Sequence, residues 1–175
     1  MTTNYLFPHR LKKIGWIIFV PAVTVGIVYL ILDAFFHDYL HSVIFDKFLS
    51  VLNVKVFAIL YRVPFGDPSF FEVRESNIFS EIIGILIILG GILVGFSREK
   101  IEDEFIAKTR LDSLVWAVYV NYAILIFCFI FFYGLTFLNV MIIHMFSVLL
   151  LFIARFYYTL HREKKSTQNE AAVGR

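Results

Sequence analysis

From Ser113 to Ala154 the chain runs 42 consecutive positions without Asp, Glu, Lys or Arg, broken by one titratable imidazole, His144. That is about twice the ~20 apolar residues an α-helix needs to cross a ~30 Å hydrocarbon layer. No element of a soluble core requires such a run. The stretch predicts two membrane crossings joined by a tight turn. Tyr133-Gly134-Leu135-Thr136-Phe137, near its middle, is the segment with turn chemistry.

The totals exclude several classes. At 175 residues, 59% of them hydrophobic, and with a mean hydropathy of +0.78, there is no room for a separate soluble domain beside the spans. A formal charge of +2 and the lack of a basic run interleaved with aromatics speak against direct nucleic-acid binding. The one cysteine, Cys128, sits in an apolar run and offers neither a disulfide nor a CxxC motif, so it reads as a small packing residue. There is no P-loop, dinucleotide fingerprint, nucleophile elbow or HExxH, and the chain reads as a non-enzyme.

Four segments qualify as spans, at about 14–36, 78–96, 114–133 and 138–157. Ile14 to Leu32 gives 19 uncharged positions after Arg10, Lys12 and Lys13. It is followed by Asp33 and aromatics rather than a small-residue cleavage pattern, so it is read as a retained span. Backbone groups in lipid must be satisfied internally, which makes each segment helical. Twelve of the 16 Lys and Arg residues flank the N-terminal side of span one, the connection between spans two and three, or the end of span four. Basic flanks stay in the cytoplasm, so both termini are expected inside a bacterial inner membrane. The fold expected is an all-α, four-span bundle over residues 1–160, with a polar cytoplasmic tail over 161–175 that is disordered from Ser166 to Arg175.

The external segment, 37–77, is expected to hold an amphipathic interfacial helix. Ile44, Phe48, Val51 and Leu52 share one helical face within His41 to Tyr61, and Pro64-Phe65-Gly66-Asp67-Pro68 ends it. Phe70 to Val73 reads as a short extended piece. Within the spans, Gly15, Ala22 and Gly26, and likewise Gly84, Gly91 and Gly95, recur at seven and four residues. Each set predicts a face where helix backbones approach, either between spans one and two or against a second copy. Pro21 is expected to kink span one.

Three constellations are candidates for chemistry. Asp33, His37 and His41, spaced by four, present a carboxylate and two imidazoles on one face of a continuous helix, an arrangement that can hold a divalent metal. No other cofactor is expected. Glu81, Asn121 and His144 are polar groups inside apolar spans, where a partner or a function is the default expectation. Asn121 and Tyr122 are the natural hydrogen-bond partners of His144. The third is the connection from Ser97 to Ser113, with nine charges of mixed sign in 17 residues. Glu104 with Lys108 suits an i, i+4 pair, and Ile101 and Phe105 would share a helical face. Span two is expected to run on as a helix into the cytoplasm and turn near Thr109 to Asp112, forming a helical hairpin. Arg98, Glu102, Asp103, Glu104 and Arg110 then form either a partner-docking surface or an internal network that locks the hairpin.

The runs Ser97-Arg98-Glu99-Lys100-Ile101-Glu102-Asp103-Glu104 and Arg110-Leu111-Asp112-Ser113-Leu114-Val115-Trp116-Ala117-Val118-Tyr119-Val120-Asn121-Tyr122, with Asn77 and Glu81 ahead of Gly84, resemble an uncharacterised family of small four-span inner-membrane proteins of Bacteroidetes-type bacteria. The likeness covers the second half of the chain well and the first half loosely. It implies the four-span fold and the hairpin, and no activity or site. The sequence is thus read as an anchor, scaffold or signalling subunit whose hairpin meets a protein partner, or as a homo-oligomer. One alternative is an ion or small-solute pathway using Asp33, Glu81 and His144. Another is a metal- or redox-cofactor-binding membrane subunit.

Overall fold

Long uncharged runs fold as helices here because only the helix pairs every backbone N–H and C=O within its own segment. The computed structural model describes residues 6–35, 53–61 and 69–173, apart from the side chains of 32–35, 60, 61, 69, 72, 74, 135, 136, 139 and 167–173. Among these residues the order is α1 (His9–Phe35), β1 (Asn53–Tyr61), β2 (Ser69–Asn77), α2 (Phe79–Gly95), α3 (Glu104–Phe131) and α4 (Leu135–Val173). Three helices, α1, α3 and α4, are long and apolar enough to cross a membrane, consistent with a multi-pass membrane protein. The fourth apolar helix, α2, has 17 residues and rises about 26 Å at 1.5 Å per residue, at the lower limit for a crossing.

Several boundaries differ from the sequence reading. The fold is mostly helical rather than all-α, because residues 53–61 belong to a strand and not to an interfacial helix. Val54, Val56, Phe57 and Ile59 make the segment rich in β-branched and aromatic residues, which favour a strand, and its pairing with residues 69–77 prevails over the helical spacing. The Ile44, Phe48, Val51 and Leu52 face lies outside the described residues. Span two does not continue into a helical hairpin: α2 ends at Gly95, and Thr109 to Asp112 lie inside α3. Ile101 precedes α3, so it shares no helical face with Phe105. The tail is not disordered either, since α4 continues through the polar residues to Val173. Pro21 sits inside α1 without ending it.

The chain divides into two compact units, Pro21–Leu86 and Met1–Val20 with Ile87–Arg175. In the first, β1 and β2 pair antiparallel from Asn53↔Asn77 to Tyr61↔Ser69. Asn77 ties strand to helix: its Nδ2 donates to Asn53 Oδ1 at 3.1 Å, and its Oδ1 accepts from Phe79 N at 3.0 Å. The Tyr29 and Phe79 rings meet edge-on at 5.6 Å.

In the other unit small residues decide how close the helices come. A Cβ on Gly15 would lie 2.8 Å from Leu93 Cβ, and one on Gly90 would lie 2.9 Å from Phe19 N, so α1 and α2 approach backbone to backbone. Gly91 and Gly95 instead make room for Leu149 and Phe152 of α4. Gly90, absent from the expected glycine face, meets the backbone of Phe19 on α1. On α3 the buried stripe is Arg110, Ser113, Ala117, Asn121 and Cys128, and on α4 it is Phe152, Phe156 and Leu160. The α3–α4 turn falls within the expected pentapeptide, where Gly134 adopts φ +68, a conformation that suits a residue without Cβ.

Gly90→Ala is expected to destabilise the detergent-solubilised protein by about 1–3 kcal/mol, because the clash is with backbone that cannot rotate away. Gly134→Ala should cost only about 1–2 kcal/mol, from its left-handed backbone alone. Unfolding followed by circular dichroism measures both.

Candidate functional site

The polar information of this unit concentrates where the connection between α2 and α3 meets the first turns of α1. After Gly95 the chain becomes extended, and Phe7 and Ser97 pair as a parallel bridge. Phe7 N donates to Phe96 O and Arg98 N donates to Phe7 O, each at 2.9 Å. His9 Nδ1 adds a hydrogen bond to Arg98 O at 3.0 Å. Glu102 then bends the segment back, its Oε2 accepting from Glu99 N at 2.8 Å, and Asp103 caps α3 by accepting from Ile106 N at 2.8 Å.

Arg110, one and a half turns into α3, closes the arrangement. Its Nη1 donates to Glu102 Oε1 at 2.6 Å, and its Nη2 donates to Glu102 Oε2 and to Ser97 O, both at 3.3 Å. The guanidinium also stands 5.2 Å from the Phe156 ring centroid, and the residue is only 7% exposed. Such a fork-to-carboxylate pair is the geometry in which arginine has no substitute. The Arg110 Nε and the Ser97 hydroxyl are buried without a hydrogen-bond partner among the described residues. A second ion pair, Lys12 with Glu99, ties α1 to the same segment. Lys12 also lies 4.9 Å over the Tyr157 ring, Trp16 packs on Tyr157 at 5.1 Å, and Tyr157 donates to Val94 O at 3.2 Å. Arg155 sits 4.4 Å over Trp116.

A different polar cluster joins α3 to α4 within the apolar run. Asn121 Nδ2 donates to His144 Nε2 at 3.0 Å, Ser147 Oγ donates to Asn121 Oδ1, and His144 Nδ1 lies 3.3 Å from Ser147 Oγ. With the proton on Nδ1, the three side chains close a ring in which each donates once and accepts once. A neutral imidazole satisfies this ring without leaving a charge in apolar surroundings.

The structure thus brings together Glu102 and Arg110, and separately Asn121 and His144. Ser147 completes the second cluster and went unnoticed in the sequence, although its i+3 spacing from His144 is the signal that points to it. Tyr122 is exposed and is not part of it. Asp103 serves as a cap, while Arg98 contributes backbone atoms and Glu104 is exposed on the first turn of α3. Glu81 is exposed at the start of α2 and accepts from Ser80 Oγ at 3.0 Å. Of the expected metal set, the Asp33 side chain and residues His37 and His41 lie outside the described residues. Among those described, no three His, Cys, Asp or Glu side chains group around a common point.

The junction pairs Arg110 with Glu102 and Lys12 with Glu99, which locks the connection onto α1 and α3. Burial pushes the Glu102 carboxyl up, but the Arg110 hydrogen bonds, the Glu99 N–H and the charges of Arg110 and Arg98 outweigh it and hold the pKa below the ordinary 4.5. A carboxyl depressed on folding stabilises the protein above its unfolded value and loses that contribution as pH falls through the folded one.

Stability of the solubilised protein is therefore expected to drop as pH falls below 4.5, and Glu102→Gln should flatten that part of the profile while lowering stability at neutral pH. Arg110→Lys, which keeps the charge but loses the fork, should cost about 2 kcal/mol or more at neutral pH in the same unfolding assay. Asn121→Leu, which opens the ring, should cost about 1–2 kcal/mol, and a His144→Leu/Asn121→Leu pair should cost less than the sum of its parts.

Compared with protein-family models, with curated proteins and with solved structures, the chain matches none of them.

Proposed function

We propose that this chain is a four-span protein of a bacterial inner membrane, with α2 as the short fourth crossing and both termini cytoplasmic. It acts without catalysis, as an anchor or regulatory subunit that presents the α2–α3 connection to a cytoplasmic protein. The basic flanks of the spans support the orientation. The observation that carries the docking role is the locked connection. Arg110 is buried and Glu102, which still reaches solvent, is paired with it in the lock, so they are not the contact residues. What they hold in place is a fixed, exposed surface: Lys100 and Ile101 on the connection, and Phe105, Lys108 and Asp112 along one face of α3. Ile101 is 75% exposed beside charged neighbours, which suits a protein contact more than a lipid-facing or a purely solvated position. A pathway through His144 ranks behind this reading, because both imidazole nitrogens are engaged, Nε2 with Asn121 and Nδ1 with Ser147.

A photo-crosslinking amino acid placed at Phe105 in cells of the native host is expected to yield a discrete protein adduct that disappears on Ile101→Glu or Lys108→Glu, with the protein's abundance unchanged. The same probe at Tyr119, an exposed residue of the apolar part of α3, should not give that adduct. Absence of a protein adduct at Phe105 above the Tyr119 background overturns the reading.

A further inference from the structure

The β1–β2 hairpin carries a pattern that the docking role does not use. Strand alternation puts Asn53, Lys55, Phe57 and Ile59 on one face, and the register sets Asn77, Glu75 and Val73 beside the first three. Phe71 joins the same face, its ring 6.2 Å from that of Phe57. This face is divided along its length. The half nearer α2 is polar: Asn53 with Asn77, then Lys55 with Glu75. Farther along, Phe57, Ile59, Phe71 and Val73 form an apolar patch, and each of these side chains is more than three-fifths exposed. The opposite face carries Val54, Val56 and Phe70 with Ser76, and there Phe70 is also exposed. Phe71 holds a backbone φ of +54, which an aromatic residue seldom adopts.

We propose that this face lies on the bilayer that holds the helices, with Phe57, Ile59, Phe71 and Val73 in the interfacial layer and Lys55 and Glu75 at its aqueous edge. Three features favour lipid over another occupant. First, Ile78 alone separates β2 from α2, whose Ile82, Ile85 and Leu86 are exposed apolar residues. The hairpin is thereby tethered directly to an apolar helix, and at about 3.3 Å per residue the patch begins about 13 Å from the hairpin's base, beyond the polar half, within reach of the bilayer surface. Second, the four side chains offer no donor or acceptor with which to recognise a particular protein, whereas a headgroup–acyl boundary asks only for apolar and aromatic surface. Third, an isolated two-stranded hairpin is marginal in water, and burying one face in the interface supplies what a third strand or a helix would otherwise provide. The free strand edges limit the depth, since unpaired backbone groups are tolerated only where water still reaches them.

The proposal rests on the chain being a membrane protein, and the test separates the two. In a Cys128→Ala background, single nitroxide labels are placed on the full-length protein through Phe57→Cys, Ile59→Cys and Val73→Cys in the patch, Lys55→Cys at its edge and Ile126→Cys on α3. The protein is reconstituted in vesicles of phosphatidylethanolamine and phosphatidylglycerol. Power saturation then compares relaxation by oxygen, which concentrates in lipid, with relaxation by a water-soluble nickel chelate. The expected result is oxygen dominance at positions 57, 59, 73 and 126 and nickel dominance at 55. Nickel dominance at 57, 59 and 73 with oxygen dominance at 126 overturns the proposal and leaves the membrane reading intact. So does shielding of the patch from both agents with spin–spin broadening between labels, which identifies a second copy as the occupant. Nickel dominance at 126 as well overturns the membrane reading and this inference with it.

Discussion

A guanidinium cannot be discharged at any ordinary pH, so burying Arg110 obliges the chain to bring it a counter-charge. Glu102 is that charge, eight residues back, and meeting it forces the segment 97–103 to fold onto the start of α3. The rest of the junction follows. Once Glu102 is placed, its second oxygen bends the backbone at Glu99, Glu99 comes within reach of Lys12, and Ser97 lies where Phe7 can pair with it. Removing one partner of such a pair leaves the other buried and uncompensated, so the interaction organises more than its own energy indicates.

The two polar clusters of this unit solve different problems. At the α2–α3 connection, full charges are used because they are paired in a fork and one partner, Glu102, still reaches solvent. Inside the apolar run between α3 and α4, Asn121, His144 and Ser147 form a ring with no net charge when the imidazole is neutral. Charge is affordable where water can solvate part of the pair, and a neutral ring suffices where it cannot. Both clusters join helices that are otherwise held by small residues and aromatic packing, such as Ala117, Phe152 and Phe156, where apolar surface alone gives little preference for one neighbour over another.

Much of this was legible from particular residues. The 42-residue uncharged run and Gly134 announced two helices and the turn between them, because the cost of an unpaired backbone group in lipid leaves only the helix. Asn121 was a sound candidate for His144, since both are polar in an apolar run. The hairpin was misread because Val43 to Leu60 contains apolar residues at both helical and strand spacings. Only the cross-strand partners at 69–77, distant in sequence, decide between them for residues 53–61. The α2–α3 connection was misread for a related reason. Its charge density looked like a solvated helix, but Asp103 preferred to cap α3, and residues 96–98 found a strand partner at Phe7.

The sequence by itself determined that the chain is built of apolar helices and where their charged ends lie, because hydropathy and charge act position by position and need no knowledge of neighbours. It also determined that Arg110 and Glu102 belong to one charged segment. Only the tertiary structure decided that Gly90 meets Phe19 of α1, that Ser147 closes the ring with Asn121 and His144, and that Lys12 reaches Glu99. Each of these depends on distances between segments up to 87 residues apart. Such distances are set by how closely two backbones pack, which no single stretch of sequence encodes.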